Sequence, residues 1–477
     1  MSQTFDVKTF ATERDNILIA PAGFGKTHTI SKCLKHTEGK QLILTHTQAG
    51  VASIKDKLQK CSIGKDKYSV ETISSFAKRY VLSFTNSSTI PDETDSKKFY
   101  AFFIENATKI LSLKLVQDII KLSYTGLFVD EYQDCTVEQH KLILVLADIL
   151  PTHVLGDPLQ GIFGFNGQKL VDLNSATDMG QFSTRYELDT PHRWINNGNA
   201  KLGEDLLKIR KDLMQSKEID LAQYSSIEFK QGSYGDHYRV VMDTLKSSDS
   251  VLVIDSDSIK MTTRENFVVA FKYVPLLIEA FDGKDFYISA IHFDNKDNSS
   301  AIDILHEFII DKFSNLDDWY DKANKRFKKK RDPVEESQLT EIKALIIKLS
   351  TNYSLIDLRE IISKIRNLKG VNCARRDLLN SLSKSMGDAH HSKTTVLEAM
   401  RKHRNGIRSV GRKMYGKCVG TTLLTKGLEF DTVIILDADN FKDPQNFYVA
   451  ISRCVKRLIV FAGNSKISPY QQQIKKH

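Results

Sequence analysis

Apolar residues gather along this chain in short unbroken runs rather than in strict alternation. The runs are Ile17–Ala20, Leu42–Thr45, Leu127–Val129, Val154–Gly156, Val251–Ile254, Val433–Leu436 and Leu458–Phe461, each bounded by turn formers or charges. Continuous apolarity over about 4–6 residues suits a strand buried on both faces, as in a parallel sheet. Between the runs, segments such as Thr27–Leu34 and Ala49–Leu58 place apolar residues at helical spacing. Such alternation predicts an α/β fold. The runs form two sets, one before residue 190 and one divided between residue 250 and residues 430–462. The simplest account is two parallel-sheet domains, the second interrupted by an insertion over residues 300–415. That insertion carries Leu, Ile, Lys and Arg at helical spacing, as in Glu341–Leu349 and Ile356–Leu368. It reads as a basic helical subdomain with no sheet of its own.

Charge sharpens this division. Residues 321–420 hold 24 Lys+Arg against 10 Asp+Glu, a balance of +14, while the rest of the chain holds 44 against 49, or −5. A localised block of cations suggests a polyanionic partner; a solvated helical face is the competing account. Six cations stand within Lys325–Arg331, including Lys328, Lys329 and Lys330, next to the helix-breaking Pro333. An exposed helix end or loop is expected there. No apolar run approaches the ~20 residues of a membrane helix, and residues 1–10 do not resemble a secretory signal. The six cysteines are scattered, with no C-x-x-C pair. They indicate reduced thiols in a cytoplasmic protein, and the lack of a long apolar run leads to the expectation of no membrane partner.

Candidate chemistry begins after the first run. Ala20-Pro21-Ala22-Gly23-Phe24-Gly25-Lys26-Thr27 joins a strand to a helix. Glycines let loop N–H groups turn toward a phosphate at a helix N-terminus. Lys26 would supply a charge for the β- and γ-phosphates, and Thr27 a hydroxyl for Mg²⁺. Further on, Gly126–Asp134 ends a buried run on the adjacent carboxylates Asp130 and Glu131. One carboxylate can hold Mg²⁺ and the other take a proton from attacking water. Asp130 fits the first role and Glu131 the second. Gly156–Gln160 follows the next run, and the Gln160 amide could sense a γ-phosphate.

These segments resemble, in order, the motifs of superfamily 1 helicases of the UvrD/Rep/PcrA type. Asp130–Gln133 with Asp134 matches the second motif, Gly156–Phe165 the third, Leu188–Arg193 the fourth, Thr421–Asp431 the fifth and Tyr448–Arg453 the sixth. Thr45-His46-Thr47 and Thr72–Phe76 match the weaker motifs between the first and second. The resemblance implies two RecA-like domains that bind ATP with Mg²⁺. Residues 1–80 and 125–190 would form the first, with a short helical insertion at 81–124. Residues 191–299 and 416–477 would form the second around the basic insertion. It also implies that Arg193 and Arg453 reach the γ-phosphate, and that Glu429, beside Gly427, contacts the ribose. Single-stranded DNA, or a junction with duplex, would run past Thr45, His46 and Phe76. Its bases would stack on Phe163 and Phe165, for which core packing is the competing account.

The chain departs from the family pattern at several positions. The residues expected to sandwich adenine are His28 and His192, and the third motif ends on Asn166 where the family has Arg. His46 replaces a Phe and Leu423 a His. The small insertions further resemble the helicase-like subunits of Gabija-type anti-phage systems, which implies a separate nuclease subunit as partner. An ATP-driven translocase or helicase moving 3′→5′ on single-stranded DNA, in DNA repair or phage defence, is therefore expected. A nucleotide- and DNA-sensing regulatory ATPase controlling a nuclease is one alternative, and an RNA helicase or non-adenine NTPase another.

Overall fold

The computed structural model describes residues 5–85, 90–91, 96–162, 169–256, 258–278, 284–294, 298–410 and 416–470. The first sheet contains β1 (Asn16–Ile19), β2 (Gln41–Thr45), β3 (Tyr68–Thr72), β4 (Gly126–Val129), β5 (Thr152–Gly156) and β6 (Thr184–Glu187). Their order is β3-β2-β4-β5-β1-β6 and every pairing is parallel. The four central strands are the unbroken apolar runs, and alternate residues feed two different cores. Ile17, Ile19, Leu42, Leu44, Leu127 and Val129 enter one, packed against Ile73, Leu142 and Leu146. Leu18, Ile43, Phe128 and Leu155 enter the other, against Ile30, Val51 and Ile54. Burial on both faces is why these strands lack a polar side.

The remaining strands are β7 (Ile219–Asp220), β8 (Ile227–Gln231), β9 (Val251–Asp255), β10 (Leu276–Leu277), β11 (Tyr320–Asp321), β12 (Arg326–Phe327), β13 (Lys417–Thr421), β14 (Phe430–Ile435), β15 (Cys454–Ala462) and β16 (Lys466–Ile467). A second six-stranded sheet has the order β10-β13-β9-β14-β15-β8. The expected pair of parallel α/β sheets is therefore present. Two compact units are formed, one of Met1–Asp236, Arg408–Lys413 and Lys426–His477, the other of His237–Ile407 and Met414–Thr425. The first contains the whole first sheet, β8, β14 and β15, and the short antiparallel pair β7–β16.

The second unit holds β9, β10, β13 and a helical body built on a single core running from Phe286 to Met400. That core starts before residue 300, because Phe286, Ala290 and Phe293 of helix Lys284–Asp294 belong to it. It also contains one small sheet, the antiparallel hairpin β11–β12. The expectation that this insertion has no sheet of its own is thus corrected. Tyr320 and Phe327 pair across the hairpin with both rings buried, which anchors it to the helices. Among the described residues, no helix is long and apolar enough to cross a membrane.

Candidate nucleotide site

In the first unit, β1 delivers the chain into a tight loop ahead of helix Lys26–Cys33. Gly23 (φ +78°) and Gly25 (φ +90°) adopt left-handed backbone, open to glycine at no steric cost. A Cβ on Gly23 would lie 2.8 Å from Trp194 Cζ3, so the loop also depends on close approach. Phe24 is buried, with its ring edge-on to Trp194 at 6.5 Å. Ala20 N donates to Gly156 O at 3.0 Å, and Ala22 N donates to the Tyr448 hydroxyl at 3.2 Å. No side chain caps the helix that starts at Lys26. Its first-turn N–H groups, with Thr27 half-buried among them, suit an anion.

Lys26 crosses to the end of β4. Its ammonium lies 2.7 Å from Glu131 Oε2 and 3.9 Å from Asp130 Oδ1, with the lysine side chain 9% exposed. Burial acts to lower its pKa, but Glu131 and Asp130 outweigh it and hold Lys26 above the ordinary ammonium value. Burial pushes Asp130 up, partly offset by Lys26, and the neighbouring Glu131 adds to the rise. Burial acts the same way on Glu131, where Lys26 and Lys426 overcome it and bring the carboxyl below its usual range. Glu131 has φ +57°, rarely adopted by a residue with a side chain, and its N–H donates to Asp130 Oδ1 at 3.0 Å. The two carboxylates at one strand end therefore share a single ammonium.

Other groups close around them. Gln133 Nε2 donates to Glu131 Oε2 at 2.5 Å, and Gln133 Oε1 accepts from Asp157 N at 3.0 Å. Gln160 Nε2 donates to Asp157 Oδ2 at 3.0 Å. Lys426 Nζ stands 2.6 Å from Asp134 Oδ2 and donates to Gln160 O at 2.5 Å. Burial raises Asp134 to about 7, with Lys426 opposing. Arg193 N donates to Gly23 O at 2.9 Å, so this residue is hydrogen-bonded to the phosphate loop itself. Its guanidinium reaches Glu429 Oε1 at 2.7 Å and Ser452 O at 2.5 Å. Arg453 is 2% exposed, and donates to Val449 O at 2.8 Å and Ser452 Oγ at 2.9 Å. Burial, then the nearby Arg193, lowers it to about 10. Gly427 (φ +83°) faces open space where the chain turns toward Glu429.

His28 and His192 are both exposed. The His192 ring and the His28 Cβ lie 3.5 and 4.0 Å from where a Gly25 Cβ would stand. Burial, then Lys32 and Lys57, lowers the His28 pKa.

The expected nucleic-acid residues separate. Thr45 is buried at the end of β2. His46 is half-buried and turned inward, with Nε2 3.5 Å from Cys135 Sγ. Burial, reinforced by Lys426, lowers its pKa to about 4. Phe76 is fully buried, its centroid 4.9 Å from that of Tyr80, so it packs the core and offers no ring face to a base. Phe163 and Phe165 lie outside the described residues. In the second unit Lys328 and Lys329 are exposed after β12. Lys330 is half-buried, with its ammonium 4.1 Å from the Trp319 ring centroid and 3.6 Å from Glu335. This segment is a hairpin strand leading into helix Pro333–Thr351, capped by Asp332.

Gln133, Asp157, Trp194, Lys426 and Tyr448 were not among the expected site residues. Lys426 and Tyr448 stand inside matched motifs, whereas nothing local distinguishes Trp194.

Residues 3–166 match the AAA domain family. The chain is also similar to Gabija protein GajB of Bacillus cereus (strain VD045), 23% identical over 407 residues, covering 78% of this chain and 72% of the relative. The matched domain takes in the loop, Lys26, both carboxylates and Gln160. The chain is thus similar to the AAA domain family over residues 3–166 and to a Gabija protein over most of its length.

Proposed function

We propose that this protein is an ATP-dependent translocase or helicase that works on single-stranded DNA or its junction with duplex, moving 3′→5′ in phage defence. The convergence of the Lys26 ammonium on Glu131 and Asp130, beside an uncapped helix N-terminus, carries this reading. The loop N–H groups and Lys26 bind and orient the triphosphate. Thr27 and Asp130 would hold Mg²⁺, which neutralises charge on the β- and γ-phosphates when bound. As Lys26 turns to the phosphates it leaves Glu131, whose carboxylate is then free to take the proton of attacking water. Gln160 and the guanidinium groups of Arg193 and Arg453 stabilise the γ-phosphoryl oxygens. Such a guanidinium is worth about 10³–10⁵ in rate in related chemistry. His28 and His192 border the base, and Glu429 the ribose.

A second reading has specific support: control of a partner nuclease, with little unwinding. His46 is turned against Cys135 and Phe76 into the core, leaving fewer side chains for a DNA path. The similarity to a Gabija protein accords with such a partner.

Steady-state turnover of ATP and GTP, without nucleic acid and with single-stranded DNA or RNA, combined with strand displacement on a 3′-tailed duplex, tests both. ATP turnover stimulated by DNA together with displacement is expected. Stimulation without displacement, plus a co-purifying nuclease, favours the regulatory role. Absence of turnover in every condition refutes the ATPase assignment.

A further inference from the structure

Arg210 sits within helix Ala200–Met214, on whose buried face lie Leu202, Leu206, Ile209 and Leu213. Its side chain is 2% exposed. An apolar residue would fill this place without removing a charge from water, and such replacements are often neutral or stabilising. The charge therefore calls for a use. Arg210 Nη2 donates to Asp157 Oδ1 at 3.0 Å, and Nη1 lies 3.6 Å from Glu187 Oε1. Asp157 is itself fully buried, and its other oxygen accepts from Gln160 Nε2 at 3.0 Å. Its backbone N–H leads through Gln133 to Glu131. One ionic contact thus stands behind both the amide facing the γ-phosphate and the residue that orders the general base.

We infer that Arg210 is a positioning residue of the nucleotide site, holding the Asp157 carboxylate in place so that it fixes the Gln160 amide toward the γ-phosphate. This rests on the γ-phosphate role proposed for Gln160. An amide nitrogen carries two hydrogens; Asp157 takes one, which aims the second. Without Arg210, the buried Asp157 carboxylate loses the ionic partner that fixes its orientation. A carboxylate free to turn no longer dictates the amide orientation. Glu187 closes β6, the strand that leads toward Arg193, so the same guanidinium also steadies the approach to Arg193.

The test uses the full chain with Arg210→Met and Arg210→Lys, each made in wild-type and Gln160→Ala backgrounds. Affinities for ADP and a non-hydrolysable ATP analogue are measured, with kcat where turnover occurs. Arg210→Met should leave ADP affinity within about twofold but reduce the preference for the ATP analogue about tenfold, the scale of one charged hydrogen bond. Arg210→Lys, which keeps the charge, should recover part of that preference. In the Gln160→Ala background, Arg210→Met should add nothing, since both changes remove one interaction. If Arg210→Met does not fold, Arg210→Lys and the neutral pair Asp157→Asn/Arg210→Met carry the comparison. A folded Arg210 variant with unchanged analogue preference, or with losses fully additive to Gln160→Ala, overturns the role. Gln160→Ala without effect on that preference instead removes the γ-phosphate reading, and the Arg210 role with it.

Discussion

Gly23 and Gly25 occupy similar left-handed backbone, yet their surroundings differ enough to separate two energetic terms. Alanine at such a φ costs about 1–2 kcal/mol. At Gly25 that is nearly the whole cost, because the nearest neighbour of an added Cβ is His192 Cδ2 at 3.5 Å, an ordinary contact. At Gly23 the Cβ would meet Trp194 Cζ3 at 2.8 Å and Arg193 Cβ at 3.0 Å. Trp194 cannot easily retreat. It is 1% exposed and its Nε1 donates to Cys454 O at 3.0 Å. Overpacking of this kind adds about 1–3 kcal/mol. Gly23→Ala should therefore destabilise by about 2–5 kcal/mol, against about 1–2 for Gly25→Ala. Native-state hydrogen exchange of β1 and helix Lys26–Cys33 reads the loss locally, without assuming that the whole chain unfolds in one step. Equal losses in the two variants would refute the close approach of Trp194.

Three further outcomes are expected. Glu131→Gln should reduce turnover by about 10²–10⁴-fold while keeping Mg·ATP binding, whereas Lys26→Ala should lose binding too; rapid hydrolysis by Glu131→Gln would sink the base assignment. Lys328→Ala with Lys329→Ala should weaken DNA binding regardless of sequence, flattening the slope of log K against log salt by about 0.7–0.9 per phosphate contact; unchanged affinity with loss of a protein partner would mark a docking surface instead. Burial pushes His153, bonded to Asn16 Oδ1 at 2.9 Å, down to about 3. The unfolded chain then takes up a proton near 6.5 that the folded one refuses, so stability is full above pH 6.5 and declines as pH falls toward 3, at about 1.4 kcal/mol per unit. His153→Asn should flatten that decline in urea midpoints measured from pH 7 to 5, and an unaltered slope would count against it.

Strands buried on both faces were legible because a parallel sheet needs apolar residues at every position. Edge strands were not: β3, Tyr-Ser-Val-Glu-Thr, has two of its five residues buried, and β6 has one of four. β13 escaped for another reason, since Lys417, Gly420 and Thr421 interrupt its apolarity although four of its five residues are buried. Phe76 shows the opposite error. An aromatic near a helix start looks the same in sequence whether it stacks a base or fills a core. Local motifs revealed Lys26, Asp130 and Glu131, whereas Lys426 meets Asp134 across 292 positions and Arg210 meets Asp157 across 53. Yet a trace of such partnerships is present. A charge set in a buried face, as Arg210 is beside Ile209 and Leu213, must be compensated by something distant, because removing it from water is costly without a partner. The pattern announces that a counter-charge exists; only the fold identifies Asp157 as that partner and joins it to Gln160.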